Sequence, residues 1–216
     1  AWGKDHAAEL IPYMGETRVV ALGSPKHDAL LDQLQTVAQQ QKPLVVYYSS
    51  RANGSHMPLS LFLEHLRAVA LAAAKKPAWD FVVRLHPGDK AALLTQALQD
   101  LMVPKNLRFT QQEDSYELLK KCSVAIVYSS TIAFEIILFK RRLVLLNLSG
   151  LPDPLPIMRY GFGTRVTASS ELVTALESEM HKRLRPPPKK VIKALWTDAG
   201  GACERIQQIM SQQAGE

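Results

Sequence analysis

The sequence predicts an α/β fold, a doubly wound open parallel sheet with helices on both faces. Two observations lead to this prediction. Short apolar segments alternate with helical segments from Leu44 onward, and this order is typical of a parallel sheet built from strand–helix–strand units. The apolar segments are continuous rather than alternating with polar residues, which indicates that helices cover both faces of each strand. The crossover connections are expected to be right-handed.

Six segments are predicted to be strands of this sheet. Each is a short apolar run that ends at polar residues, glycine or proline. The predicted strands are Leu44–Ser49, Phe81–Leu85, Leu107–Phe109, Val124–Tyr128, Leu143–Leu148 and Gly163–Val166.

Helices are predicted between these strands, and their start signals are visible. Pro58 suits the first turn of one helix, Asp114 or Ser115 can cap another, and Ser169 or Ser170 with Glu171 suits a third. The predicted helices are Pro58–Ala74, Lys90–Leu101, Ser115–Lys121, a helix that begins at Ile132, and Ser169–Leu184.

Residues 1–43 do not follow this alternation. We predict a helix over Asp5–Met14, a strand over 18–22 and a helix over Asp28–Gln40. We interpret residues 1–43 as the tail of a preceding domain and a connector, 44–185 as the sheet domain, and 186–216 as a proline linker with two closing helices. The first residue is Ala1 rather than methionine, so we expect the chain to be part of a longer protein.

The composition limits the class of protein. The net charge of +6 and the pI near 9.3 are compatible with an anionic partner, such as a nucleotide, a polyanionic acceptor or a membrane surface, and equally with a mildly basic surface. No run of about 18 apolar residues is present, so no transmembrane helix is expected. Cys122 and Cys203 are too few for a disulfide framework and lack metal-ligand spacing, which favours a reducing cytoplasmic setting and predicts no metal site.

Candidate binding residues follow directly after the strands, because ligands of such sheets bind beyond the carboxyl ends of the strands. The candidate segments are 49–56, 86–89, 111–114, 129–131 and the loop after Leu148. The loop from Ser50 to Met57 matches no phosphate-binding motif.

Ser129, Ser130 and Thr131 form a run of hydroxyls between a buried strand and an apolar helix. A helix start offers free N–H groups and a positive dipole end, which suits an anion such as phosphate. The alternative is that these residues only cap the helix. Glu135 lies four residues after Thr131, on the same helix face, and a carboxylate in so apolar a helix is paired, exposed at the helix start or in contact with a ligand.

Other polar residues have competing interpretations. His86 can donate to a phosphate oxygen or be satisfied by a nearby carbonyl. Glu113 and Asp114 are better interpreted as an exposed acid beside a helix cap, and Cys122 as a small packed residue. The remaining basic residues, for which solvation is favoured over docking to an anionic surface, are Arg141, Arg142, Lys182, Arg183, Arg185, Lys189, Lys190 and Lys193.

Several of these segments together resemble a known family. The segments are Gly23–Asp28, Arg84–Pro87, Ser129–Thr131 with Glu135, and Asp198–Ile206. Over roughly residues 1–210 they resemble the C-terminal, nucleotide-binding half of GT-B-fold glycosyltransferases. The most similar group is that of bacterial capsule and surface-polysaccharide transferases, which includes polysialyl-, Kdo- and CDP-glycerol glycerophosphotransferases.

The resemblance implies roles for particular residues. It implies that His86, Pro87, Ser129, Ser130 and Thr131 hold the phosphate of a nucleotide sugar, with His86 stabilising the leaving group. It implies that Glu135 binds the ribose hydroxyls. It also implies that the catalytic base lies in the N-terminal half, so this chain would bind nucleotide without turnover.

The predicted function is therefore that of a donor-binding domain of a metal-independent, inverting glycosyltransferase. Its donor would be a CMP-, CDP- or UDP-linked sugar, its acceptor a glycan or lipid-linked glycan, and it would have no cofactor and no nucleic-acid partner. It would be cytoplasmic, with peripheral contact at the inner membrane as an option. The alternatives are a sugar-nucleotide 2-epimerase, which needs several carboxylates around the sugar, and a non-enzymatic nucleotide-binding or interaction module on the same fold.

Overall fold

A computed structural model of the chain describes residues 1–16, 19–31, 42–54, 57–90, 92, 95, 98–99, 101–184, 187–197 and 200–213, with the side chains of 30, 31 and 213 excepted. The chain forms two compact units. One contains Val37–Arg185, and the other joins Ala1–Thr36 to Pro186–Glu216.

The larger unit contains a six-stranded parallel sheet, which confirms the predicted fold class. The strand order is β3-β2-β1-β4-β5-β6, and every neighbouring pair is parallel. The predicted strands are present, with ends that differ by one or two residues. The strands are β1 Leu44–Tyr48, β2 Asp80–Arg84, β3 Leu107–Thr110, β4 Val124–Val127, β5 Arg142–Leu146 and β6 Thr164–Val166.

Helices connect these strands. The predicted helix over 90–101 falls largely on residues outside the described part. The helices of the larger unit are α3 Leu59–Lys75, α4 Ser115–Lys121, α5 Ile132–Leu138 and α6 Leu172–His181, with 3-10 turns at Pro156–Tyr160 and Ser169–Glu171.

The strands are buried on both faces, as their continuous apolar sequences predict. Val45 and Tyr47 of β1 face the core shared with α3 and α6, whereas Val46 on the same strand points the other way and is equally buried. Alternate strand residues point to opposite faces of a sheet. The two helical layers therefore leave the strand ends as the open edges of this unit.

The smaller unit is helical and contains α1 Lys4–Met14, α2 Pro25–Leu31, α7 Lys189–Trp196 and α8 Ala202–Gln213. The prediction of a strand at 18–22 is wrong for its described residues 19–22, which belong to no strand. Leu22 donates its N–H to Ala1, and the Ala1 amino group donates to Val20. This segment therefore pairs locally with the start of the chain.

Two segments that carry the family resemblance meet in this smaller unit. The Asp28 carboxylate accepts the N–H groups of Gly200 and Ala202 at 3.0 and 2.5 Å, at the start of α8. Arg205 returns from α8 and donates to the carbonyls of Leu22 and Gly200 at 2.9 and 2.8 Å. The connector and the closing segment are thus joined by hydrogen bonds, although they are far apart in the sequence.

Candidate functional site

The site follows from the strand order. The chain fills the sheet from β1 to β3 in one direction and from β4 to β6 in the other, so the topological switch point lies between β1 and β4. The connections diverge there and leave a crevice at the carboxyl ends of the strands. A cavity of about 380 Å³ occupies this position. Its lining residues are Ser50, Arg51, Gly54, Met57, His86, Ser129, Ser130 and Thr131.

The residues that follow β1 and β4 are joined directly. The Ser129 hydroxyl donates to the Ser50 hydroxyl oxygen at 2.6 Å, and the Ser129 backbone N–H is 3.3 Å from the same oxygen. Ser50 is buried, whereas Ser129 and Ser130 are half-buried. This pair fixes the floor of the cavity where the two strands end.

His86 begins a tight turn after β2. Its Nδ1 accepts the N–H of Gly88 at 3.0 Å, so the neutral imidazole carries its hydrogen on Nε2. A Cβ at residue 88 would lie 3.2 Å from that Nδ1, closer than ordinary packing contacts, so a larger residue would require the imidazole to shift by a few tenths of an ångström. His86 therefore lines the cavity as an Nε2–H donor.

Neighbouring side chains hold both ends of this turn. The backbone N–H of His86 donates to the Ser49 hydroxyl at 3.1 Å. At the other end, the Asp89 carboxylate accepts the Ala52 N–H at 2.9 Å. The Gln111 side chain donates to three carbonyls of the same turn. These contacts connect the loops that follow β1, β2 and β3.

Arg51 lies in the candidate segment 49–56, but the sequence did not single it out as a site residue. It is exposed, it lines the cavity beside His86, and it is the only lysine or arginine among the described residues that line it. Within the described part of the chain, its guanidinium makes no hydrogen bond or ion pair. The loop 50–57 has no recognisable motif, and only the strand order shows that Arg51 reaches the same crevice as His86.

The hydroxyls of the Ser129–Thr131 run are not used as helix caps. Thr131 is the residue before α5 and makes no side-chain capping bond, and no hydrogen bond from the Ser130 side chain is found among the described residues. Both line the cavity. Since α5 has only seven residues, the hydroxyls and Arg51 offer more to an anion than its dipole does.

Glu135 and Pro87 differ from the other predicted site residues because they do not line the cavity. Glu135 lies in α5, only 2 % exposed, and it does not belong to the lining of the cavity. Pro87 is exposed in the His86 turn and is also outside the lining. Their assignments to ribose and phosphate remain predictions.

A second cavity of about 480 Å³ adjoins the first, because Arg51 and Gly54 line both. The rest of its lining comes from the loop after β1 and the end of the His86 turn, namely Ala52, Asn53, Gly88, Asp89 and Lys90. The described part of the switch-point edge therefore offers two neighbouring spaces that share Arg51 and Gly54 in their linings.

A buried polar pair lies in the core on the α3 side of β1. The Tyr47 hydroxyl and His65 Nδ1 are 2.9 Å apart, and the His65 ring packs edge-on against Tyr128 at 5.3 Å. Burial lowers the pKa of His65 to about 4 and raises the pKa of Tyr47 far above its usual range, with Tyr128 and Asp89 adding to the latter. Both side chains are therefore neutral at pH 7.

Glu113 and Asp114 have the structural roles favoured by the sequence. Asp114 accepts the N–H groups of Tyr116 and Glu117 at 2.9 Å and caps α4. Glu113 pairs with Arg108 on the surface, and hydrogen bonding to that guanidinium is the main cause that lowers the pKa of Glu113.

Cys122 also behaves as expected, whereas Arg141 does not. Cys122 is buried, and burial raises the pKa of its thiol to about 12. Solvation of Arg141 is a wrong prediction. Its guanidinium is half-buried and donates to the carbonyls of Leu119 and Lys120 at 2.9 and 2.5 Å, because carbonyls in the last turn of a helix such as α4 have no backbone N–H partner within the helix.

The sequence matches no protein-family model and no curated protein. Its fold is shared with solved structures. S. aureus MnaA in complex with UDP has a TM-score of 0.68 and 15% identity, over 100% of this chain and 59% of that one. The Methanocaldococcus jannaschii UDP-GlcNAc 2-epimerase has a TM-score of 0.68 and 15% identity, over 94% and 57%.

Glycosyltransferases share the fold as well. The calicheamicin glycosyltransferase CalG4 has a TM-score of 0.57 and 16% identity, over 80% of this chain and 42% of that one. These similarities establish a GT-B-like Rossmann fold for this chain. The chain spans less than two thirds of the length of each of these three structures. In the described part of the chain, no helix is long and apolar enough to cross a membrane.

Proposed function

We propose that this chain is the donor-binding part of a glycosyltransferase that acts in bacterial surface-polysaccharide synthesis and uses a nucleotide-linked sugar. One observation carries the proposal: at the switch point, Arg51, His86, Ser130 and Thr131 line one cavity, and the Gly88 N–H occupies Nδ1 of His86, which leaves Nε2–H as the donor. A cation, a fixed N–H donor and hydroxyls are the groups that bind phosphate oxygens.

The proposed mechanism is displacement at the anomeric carbon with the nucleotide phosphate as the leaving group. Negative charge grows on the phosphate oxygens as the glycosidic bond breaks. His86 and Arg51 stabilise this charge, since both are in place before the reaction. We assign deprotonation of the acceptor hydroxyl to a base outside this chain, as the resemblance implies. The reaction carried over from the resemblance is inverting and metal-independent.

The specific alternative is a sugar-nucleotide 2-epimerase, favoured by the fold shared with the M. jannaschii enzyme. Epimerisation beside a nucleotide needs acid–base groups around the sugar. None of the described residues that line the 380 Å³ cavity beside His86 is acidic, and among those that line the 480 Å³ cavity only Asp89 is, whose carboxylate accepts the Ala52 N–H. We take this small number of carboxylates as support for transfer, in which the chain binds the nucleotide part of the donor.

The experiment is calorimetric titration of the chain with CMP, CDP, UDP and GDP. We expect at least one to bind, and His86→Ala to weaken that binding about tenfold or more, as removal of a hydrogen bond to a charged group does. Absence of binding by all four nucleotides would contradict the proposal. Conversion of UDP-GlcNAc to its 2-epimer by the full-length protein would select the epimerase alternative.

We also propose that the acceptor is a glycan or lipid-linked glycan met at the inner membrane face. The acceptor class is carried over from the resemblance. The support for membrane contact is α7, which buries Val191 and Leu195 but exposes Lys189, Lys190 and Lys193. Such lysines attract anionic lipid headgroups. Sedimentation with phosphatidylglycerol vesicles should therefore be reduced by replacing the three lysines with glutamine, and equal sedimentation of both proteins would contradict membrane contact.

A further inference from the structure

A single carboxamide holds the backbone of the His86 turn. Gln111 Nε2 lies 2.9 Å from the carbonyl oxygen of His86, 2.9 Å from that of Asp89 and 3.3 Å from that of Pro87. An amide nitrogen carries two hydrogens, so the two short contacts use one each and the third is shared. Three of the four carbonyls of the turn therefore converge on one side chain.

These bonds act on the part of the turn that sets the imidazole. Ser49 binds the N–H of His86, and Asp89 binds the loop after β1, so both ends of the turn are held without Gln111. The Gly88 N–H, which occupies Nδ1 of His86, lies between the carbonyls that Gln111 gathers. The Asp89 N–H closes the turn by donating to the His86 carbonyl at 3.0 Å. The peptide group that carries the Gly88 N–H has the Pro87 carbonyl as its oxygen, and Gln111 contacts that oxygen, so Gln111 acts on the orientation of this peptide group rather than on the closure of the turn.

We propose that Gln111 is a positioning residue that fixes the imidazole of His86 as the Nε2–H tautomer. The N–H at residue 88 makes Nδ1 an acceptor, and Gln111 keeps that N–H in place. The effect on ligand binding rests on the proposed function, in which His86 Nε2–H donates to phosphate, but the effect on the tautomer does not. His86 contacts the ligand, and Gln111 acts through it.

The test compares two glutamine-to-glutamate substitutions, which add the same charge at adjacent positions. Gln111→Glu keeps the length of the side chain and replaces both N–H donors with acceptors that face three carbonyls. Gln112→Glu is the matched control, since Gln112 is exposed. Gln111→Met is a second, uncharged variant of similar length without donors, for use if the glutamate prevents folding.

The measurement is the pair of imidazole ¹⁵N chemical shifts of His86. The chain has six histidines, and the His86 signals are identified because they are absent from the spectrum of His86→Ala. In the parent protein and in Gln112→Glu we expect one nitrogen with a hydrogen, Nε2, and one without, Nδ1. In Gln111→Glu or Gln111→Met we expect averaged shifts from two tautomers, while the melting temperature shows that the sheet remains folded. Nucleotide affinity should fall about tenfold in the same variants.

Two outcomes separate the inference from the proposed function. If His86→Ala abolishes nucleotide binding but a folded Gln111 variant keeps both the parent tautomer and the parent affinity, the role of Gln111 is wrong and the donor-site function stands. If the tautomer changes in the Gln111 variants and no protein binds nucleotide, the positioning role stands and the donor-site function is wrong.

Discussion

Ser129 donates its hydroxyl hydrogen to the hydroxyl oxygen of Ser50 at 2.6 Å, and this bond joins the ends of β4 and β1. These strands flank the switch point of the sheet. The backbones of β1 and β4 pair as far as Tyr47 and Ile126. The bond between Ser129 and Ser50 therefore joins the two chain segments beyond their last paired residues, at the floor of the cavity.

Loss of the Ser50 hydroxyl should destabilise the fold and weaken nucleotide binding. Ser50→Ala removes the acceptor of both the Ser129 hydroxyl and its N–H, so we expect the free energy of unfolding to fall by about 1–2 kcal/mol. Ser130→Ala is the control, because the Ser130 hydroxyl has no hydrogen bond in the described part. Urea denaturation measures the free energy of unfolding of the two variants. Equal values for Ser50→Ala and Ser130→Ala would contradict the role of the bond.

Arg51→Ala should weaken the binding of nucleotides but not of nucleosides. The guanidinium would contact phosphate oxygens, which UDP or CDP carries and uridine or cytidine lacks. Removing this charge-assisted contact should cost about tenfold or more in affinity. Arg67→Ala, an exposed arginine of α3 outside the cavity lining, is the control in the calorimetric titrations. Similar losses for nucleotide and nucleoside would place Arg51 away from the phosphate.

Glu135→Gln should remove a preference for ribose, if the predicted contact is made. A carboxylate that accepts both ribose hydroxyls would favour ribonucleotides over their 2′,3′-dideoxy analogues by about tenfold or more. The neutral amide keeps the shape of this nearly enclosed side chain and loses much of that preference. If the parent protein binds both nucleotides equally, or the variant retains the parent preference, Glu135 has a structural role only.

The stability of the larger unit should fall in acid because of His65. Its pKa is about 4 in the folded chain, below the ordinary value, so the unfolded chain binds the proton more tightly. The stability due to neutral His65 is fully present above pH 6.5 and is lost as the pH falls toward 4, by about 3 kcal/mol in total. His65→Phe should show a smaller decrease over this range than the parent protein. Identical pH profiles of the free energy of unfolding would refute the assignment.

The sheet was predictable from the sequence because its strands are apolar on both faces. Val124–Val127 is buried throughout, and no other arrangement suits such a segment between two helices. The described residues 19–22 have a similar composition but belong to no strand, and Val20 is 49% exposed. A short apolar run therefore shows neither burial nor a partner strand by itself, and this is why that strand prediction was wrong.

The candidate site was predictable only in part. His86 and Ser129–Thr131 follow strands directly, so the rule for parallel sheets identifies them. The same rule gives the segments 49–56 and 111–114, which contain Arg51 and Gln111. It does not single out these two residues, because they belong to no motif and their roles depend on how three loops meet at one edge of the sheet. Hydrogen bonds such as those from Gln111 to the His86 turn depend on distances that spacing in the sequence does not define.

The central claim is that nucleotide binds at the switch point of the sheet, and the most direct test is to locate the binding site experimentally. Backbone amide chemical shifts of the ¹⁵N-labelled chain, recorded during titration with the tightest-binding nucleotide, would map it. We predict the largest changes at residues 50–54, 86–88 and 129–131, which surround the switch point. Changes confined to other parts of the chain, such as the groove of α8 beside Ile206 and Met210, would contradict a donor site at the ends of β1, β2 and β4.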